Sequence, residues 1–142
     1  MVAKAREIMH ADVLSVDPAT TAFDCARRMA DAHRGYAVLV KDGRMDGIVT
    51  EWDFVAKLVA RGVDPATVPV AALASSPVAS CDADTPTDEV VERMAREEIR
   101  RMVVTQGGRL VGMITSKDVI KAFKPYIDKL SADISGFQPS LT

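Results

Sequence analysis

Apolar and polar positions along the chain form one ordered series of signatures, and the series occurs twice. Val13 to Val16 reads as a short strand, and Asp17-Pro18-Ala19-Thr20-Thr21 as a turn able to cap a helix. Phe23 to His33 carries Ala26, Met29 and Ala30 at helical spacing, with Gly35 as the expected stop. Tyr36 to Lys41 is a continuous apolar run, the mark of a buried strand. Asp42-Gly43 signals a tight hairpin and Met45 to Val49 the return strand. Trp52 to Ala60 follows as a helix ended by Arg61-Gly62.

The second series runs through a strand at Val78–Cys81, a turn at 82–87 and a helix at Asp88–Glu98 with Val90, Val91, Met94 and Ala95 inward. Then come a strand at Met102–Thr105, a Gly107-Gly108 turn, a strand at Leu110–Ile114 and a helix from Lys117 to about Ile127. The residues agree as well as the pattern. Gly47-Ile48-Val49-Thr50-Glu51-Trp52-Asp53 returns as Gly112-Met113-Ile114-Thr115-Ser116-Lys117-Asp118, an offset of 65 (115 − 50). At the same offset Gly43-Arg44 matches Gly108-Arg109, Arg28-Met29-Ala30 matches Arg93-Met94-Ala95, and Asp17 matches Asp82. Self-similarity at a fixed period means two copies of one small unit. The expected class is α+β (α/β), two tandem βαββα repeats: 1–62, a connector at 63–69, 70–130, and a tail at 131–142. The connector Val63-Asp64-Pro65-Ala66-Thr67-Val68-Pro69 is too short and apolar for a free tether, so the units are expected to pack together. The tail shows no clear period and is expected to be disordered or docked on a partner chain.

Composition narrows the functional classes. With 142 residues, 48% of them hydrophobic, the chain can close a core. Its net charge of −2 lacks the basic surplus of a broad nucleic-acid footprint, and Lys117, Lys121, Lys124 and Lys129 read as a solvated helix face. No apolar run approaches the ~20 residues of a membrane span, and the N-terminus has no apolar signal core. Cys25 and Cys81 stand apart and read as buried thiols of a reducing cytoplasm, and His10 and His33 have no ligand-spaced partners for zinc. No nucleophile–base set, phosphate-binding glycine loop or metal cluster is present, so no enzyme is expected.

The repeated Thr-x-x-Asp carries the candidate chemistry. It falls where a strand ends and a helix begins, where free N–H groups and a partial positive charge suit a phosphate. A threonine hydroxyl there caps the helix or donates to a phosphate oxygen, and a carboxylate one step on can accept both hydroxyls of a ribose. A purely structural reading stands beside this: Thr50 and Thr115 as N-caps, Asp53 and Asp118 as first-turn acids.

The two motifs, their hairpins (Asp-Gly-Arg and Gly-Gly-Arg), and the segments Ala5-Arg6-Glu7-Ile8-Met9 and Val70-Ala71-Ala72-Leu73 together resemble a tandem pair of cystathionine β-synthase (CBS) domains, a Bateman module, from about Ala5 to Phe123. The resemblance implies repeats packed about a pseudo-two-fold, an adenosine-containing effector and no required cofactor. It implies a homodimer, with a face from Val55, Leu58 and Val59 and their counterparts Ile120 and Phe123, and a readout through that dimer or a separate effector protein. One cleft would use Asp118 on the ribose and Thr115, Lys117, Arg100 and Arg101 on the phosphates, with Val13, Leu14, Arg34 and Gly35 bordering the base. The other would use Asp53 and Thr50, with Val78, Ala79 and Ile99 at the base. The first, richer in cations, is expected to take AMP, ADP or ATP, and the second an uncharged adenosyl group such as S-adenosylmethionine, or nothing. Trp52 is expected at a dimer or helix contact. The rival is a constitutive dimeric scaffold with vestigial clefts.

Overall fold

The computed structural model describes residues 3–136, and each unit's strands form a separate three-stranded sheet. A short helix α1 (Ala5–Ile8) precedes β1 (Ser15–Val16), α2 (Ala22–Ala32), β2 (Tyr36–Lys41), β3 (Arg44–Thr50) and α3 (Glu51–Lys57). After 3-10 turns at Val59–Arg61, Pro65–Thr67 and Val70–Ala72 come β4 (Ser80–Asp82), α4 (Thr87–Glu97), β5 (Arg101–Gln106), β6 (Arg109–Thr115) and α5 (Ser116–Ser135). β1 lies parallel to β2 and β2 antiparallel to β3, and β4, β5 and β6 repeat the arrangement. Register repeats too. Val38 faces Ile48, Val103 faces Met113, and each long hairpin carries a bulge at the matching place, after Leu39 and after Val104.

Local chemistry explains the boundaries. Asp42 and Gly43, like Gly107 and Gly108, all have positive φ, the conformation that a two-residue hairpin needs to match strand twist. α2 starts at Thr21, whose hydroxyl accepts from the Asp24 N–H at 3.1 Å. It stops at His33 in the left-handed region (φ 54°), as α4 stops at Glu98 (φ 55°), so the stop precedes the expected Gly35. The buried stripe of α2 is Ala22, Cys25 and Met29, and that of α4 is Thr87, Val90 and Met94. Ala95, expected inward, lies exposed one position further round α4, as Ala30 does on α2.

Three apolar clusters make the interior. The first contains Val16, Cys25, Met29, Leu39 and Val49, and it includes Leu58, Val70 and Leu73. Leu58, expected on a dimer face, is therefore core at 3% exposure, because α3 ends at Lys57 and the chain folds back. The second cluster belongs to the other sheet but includes Ala5 from the chain's start. The third, Tyr36, Val38, Val103 and Met113, joins the two sheets. Both cysteines are buried and free, and burial pushes the Cys25 thiol up to about 11 and the Cys81 thiol up as well.

The lead-in segments are exchanged. Ala5 N–H donates to Thr85 O at 2.8 Å and Arg6 N–H to Ala83 O at 3.0 Å. Sixty-five residues on, Val70 N–H donates to Thr20 O at 2.7 Å and Ala71 N–H to Pro18 O at 3.1 Å. Each repeat's core is thus closed by the segment preceding the other repeat. Past its lead-in, each segment crosses the far repeat's last strand: His10 bridges Met113 and Ser75 bridges Ile48. The crossing explains two glycines of the repeated motif. A Cβ on Gly47 would meet Ser75 O at 3.2 Å, and one on Gly112 would meet His10 O at 3.0 Å.

α5 departs most from expectation. It continues through Ser135 with Pro125 inside it, so residues 131–135 are helix, while 137–142 lie outside the described residues. The apolar spacing across Ile127, Leu130 and Ile134 continues the helical period, and the polar residues between them, Ser131 and Asp133 among them, hide it in the sequence.

Met113→Ala is expected to cost about 2–5 kcal/mol, because this fully buried side chain belongs to the cluster that joins the sheets. Urea unfolding followed by Trp52 fluorescence and by far-UV circular dichroism should give coincident curves, since each core needs the other repeat's lead-in. Two separated transitions would contradict this packing.

Candidate functional site

The ends of β3 and β6 place the repeated Thr-x-x-Asp motifs at the starts of α3 and α5. Thr115 N–H donates to Asp118 Oδ2 at 2.8 Å, its hydroxyl donates to the same oxygen at 2.9 Å, and Asp118 N–H donates back to that hydroxyl at 3.3 Å. Thr50 N–H and hydroxyl reach Asp53 Oδ2 at 2.8 and 3.2 Å. Both pairs therefore cap their helices. Their surroundings decide what else they can do, and these differ.

Asp118 opens into a cleft of about 490 Å³. One side of the cleft is the start of α5, with Thr115, Ser116 and Lys117; Arg100 and Arg101 border it at the start of β5; and His33, Arg34, Gly35 and Tyr36 close it from the first repeat. Gly35 keeps this wall thin, for a Cβ there would lie 2.6 Å from Glu51 Oε1 and 3.5 Å from an Arg101 amino nitrogen. Arg34 is paired with Asp12 at 2.6 Å. Among the described residues Arg100, Arg101 and Lys117 meet no carboxylate within ion-pair distance, and Arg101 also lies over the Tyr36 ring at 5.4 Å. The cleft thus carries cations available to an anion at the end of a long helix that presents its N-terminus.

His10 also reaches this cleft, a placement that sequence reasoning missed. Its Nδ1 lies 2.8 Å from Asp118 Oδ2 and its Nε2 3.4 Å from the Tyr36 hydroxyl. A carboxylate only accepts, so Nδ1 carries the proton in this contact. The exchanged lead-in brings His10 here, and the chain itself held only one hint, that His10 directly follows the lead-in. Partial burial pushes the Asp118 carboxyl up, but hydrogen bonds from the Thr115 N–H, His10 and the Thr115 hydroxyl, with the His10 charge, outweigh it and hold the carboxyl below its ordinary value. Burial pushes the Tyr36 hydroxyl up, keeping it a neutral donor.

Asp53 is enclosed. It is 8% exposed, and Lys57 Nζ lies 3.1 Å from its Oδ1 while also donating to Leu73 O at 2.8 Å. The position equivalent to Lys57 in the second repeat is Ala122, so Asp118 has no such lock. Beside Thr50 is a smaller recess of about 270 Å³, lined by Val78, Ala79, Ile99 and Val103, and shared at its edge by Arg100 and Arg101. Asp53 does not line it, and Val13 and Leu14 do not line the larger cleft. Val13 instead packs on the cluster between the sheets, and Leu14 on the first core. Trp52 is 71% exposed and lines neither recess. Among the described residues no group of three His, Cys, Asp or Glu side chains is placed to hold a metal, and no helix is long and apolar enough to cross a membrane.

Duplicated hairpin sheets, exchanged lead-ins and paired clefts at helix starts define a two-repeat module. The family model for the CBS domain matches residues 5–60 and 70–125, and the chain belongs to the CBS domain family as a tandem pair. It is 30% identical over 137 residues to an uncharacterised protein of Methanopyrus kandleri, covering 95% of this chain and 70% of that one. It is 32% identical over 118 residues to Hypoxic response protein 1 of Mycobacterium tuberculosis, covering 82% of each. Among solved structures it resembles a CBS domain protein from Pyrobaculum aerophilum complexed with AMP (TM-score 0.73, 28% identity, 82% of this chain and 89% of that one).

The folded-state Asp118 value lies below the ordinary one, about 3.9 for an unfolded chain. Its ionised form therefore stabilises the fold above that pH, and the contribution is lost as pH falls through the folded-state value. Asp118→Asn should lower the urea midpoint near neutrality, and the gap from the parent should narrow as pH falls below the ordinary carboxylate range. A gap of constant size across the acid limb would contradict the assignment.

Proposed function

We propose that this protein is a regulatory module that binds an adenine nucleotide in the Asp118 cleft and reports occupancy through a dimer or a separate effector protein. The observation that carries the reading is the meeting, in one cleft, of an ionised, partly open carboxylate at a helix start with three cations that meet no carboxylate among the described residues. Asp118 Oδ2 is occupied by Thr115 and His10, while Oδ1 is left to accept ribose hydroxyls. Arg100, Arg101 and Lys117 would meet the phosphate, and Arg34 and Gly35 would border the base. AMP bound by the similar Pyrobaculum protein supports the ligand class. CBS pairs are in general regulatory modules rather than enzymes, in keeping with a site that offers recognition groups.

The smaller recess is read differently. Thr50, Val78, Ala79 and Ile99 would suit an adenosyl group that carries no phosphate, as in S-adenosylmethionine. The vestigial reading has its own support here, because Lys57 already satisfies Asp53. A ligand touching both repeats would bias their relative orientation, since each cleft has walls from both. Val55, Val59 and Ile120, all exposed, remain candidates for a dimer face.

Calorimetric titration should show AMP binding with one strong site per chain. Asp118→Ala should weaken AMP and adenosine together by about tenfold or more, the cost of losing hydrogen bonds to a charged acceptor. Lys117→Ala with Arg100→Ala should weaken AMP while sparing adenosine, and the AMP affinity of the parent should fall with added salt. Unchanged AMP affinity in Asp118→Ala would remove the assignment. Asp53→Ala, by contrast, should leave AMP binding within about twofold and lower stability.

A further inference from the structure

Asp53 and Asp118 are each held by one side chain besides their own threonine, and the two holders take different oxygens. Lys57 meets Asp53 at Oδ1, so with Thr50 on Oδ2 both oxygens are engaged. His10 meets Asp118 at Oδ2, the oxygen that Thr115 already uses, and Oδ1 stays open. The position equivalent to His10 in the second lead-in is Ser75, which pairs with Ile48 through its backbone. His10 itself is fixed at three points. Its N–H donates to Met113 O and its carbonyl accepts from the Met113 N–H, each at 3.0 Å, two residues before Thr115. Its half-buried ring is held at both nitrogens, Nδ1 by Asp118 and Nε2 by the Tyr36 hydroxyl.

We infer that His10 is a positioning residue of the Asp118 cleft, one that leaves Oδ1 for the ligand, and that its protonation tightens the binding of anionic nucleotides. The inference rests on the reading of this cleft as a nucleotide site. Histidine is the side chain whose ordinary titration range overlaps neutral pH. Among the groups that face the ring, Asp118 favours the charged form. Lys117 at the start of α5, Arg100 and Arg101 at the start of β5, and His33 and Arg34 beyond the end of α2 oppose it, with Arg34 offset by Asp12. The Tyr36 hydroxyl, kept neutral by burial, donates to a bare Nε2 and accepts from a protonated one, so neither ring state is left without a partner. A phosphate entering the cleft adds negative charge where cations prevail, and so favours the charged ring. By reciprocity, proton uptake at His10 favours the phosphate. An uncharged nucleoside gains nothing from it.

Calorimetric titration of the full chain with AMP and with adenosine, between about pH 8 and pH 6.5 and in two buffers of different ionisation enthalpy, tests this. His10→Asn keeps a donor at the place of Nδ1 and carries no titrating group, and the phosphate's own titration is common to both chains. At pH 8 the variant should bind AMP within about twofold of the parent. As pH falls over this range, the ratio of parent to variant AMP affinity should rise about threefold or more, with the parent taking up more protons on binding. The same ratio for adenosine should stay within about twofold. His10→Ala, checked for folding by thermal unfolding, should weaken AMP and adenosine alike by about threefold or more at pH 8. His33→Asn should keep the parent's pH response. Nitrogen NMR of the imidazole rings in the free protein at pH 8 should show His10 protonated at Nδ1. Protonation at Nε2 alone in that state, a His10→Asn pH profile that follows the parent's, or a response lost in His33→Asn instead would overturn the inference while leaving AMP binding intact. A parent that binds no AMP at any pH would sink the nucleotide reading itself, and this inference with it.

Discussion

The exchange of lead-in segments is the constraint on which the other features rest. Ala5 fills the second core and Val70 the first, and backbone hydrogen bonds stitch each segment to the far repeat. Neither repeat has a complete interior alone. The same crossing carries His10 across β6 to the acid at the start of α5, so the element that closes the core also supplies a wall of the cleft. The packing and the Asp118 cleft are therefore built from one topological device. A disturbance at the Asp118 cleft has a direct covalent route to the repeat that did not supply the Thr-x-x-Asp motif.

Sequence duplication sets up two equivalent clefts, and a few substitutions make them different. Lys57 against Ala122 decides whether the motif acid is sealed or open. Trp52 against Lys117, and Gly35 against Arg100, decide where the cations lie. Physical chemistry assigns these changes opposite effects. The first site seals its acid in an internal ion pair with Lys57 at a buried position, where leaving the acid alone would be costly. The second keeps its acid partly wet and surrounds it with charge that suits a phosphate.

Much of this was legible along the chain. The 65-residue period, the positive-φ hairpin residues and the caps at Thr21, Thr50 and Thr115 each follow from local chemistry, and strand and helix order came with them. What failed was non-local or edge-dependent. Leu58 looked like surface because helical spacing continued past Lys57, whereas the chain turns and buries it. Residues 131–135 looked like tail because Ser131, Asp133 and Ser135 leave a single large apolar residue, Ile134, whereas the apolar steps of three and four continue to it. The closure of Asp53 was not read from the chain: Lys57 stands one turn on, but the Leu73 carbonyl of the second lead-in is needed to fix that side chain. His10 was invisible as a site residue, since only the exchanged topology brings positions 10 and 118 together.

The account stands on the Asp118 cleft being where a nucleotide sits. Heteronuclear NMR of the labelled protein during AMP addition tests this most directly, because each backbone amide reports its own surroundings. Saturating shifts centred on Thr115, Ser116, Lys117, Arg101 and the His10 ring, with smaller movement along α1, are the predicted result. Shifts confined to residues remote from that cleft, or a spectrum unchanged at millimolar AMP, would contradict it.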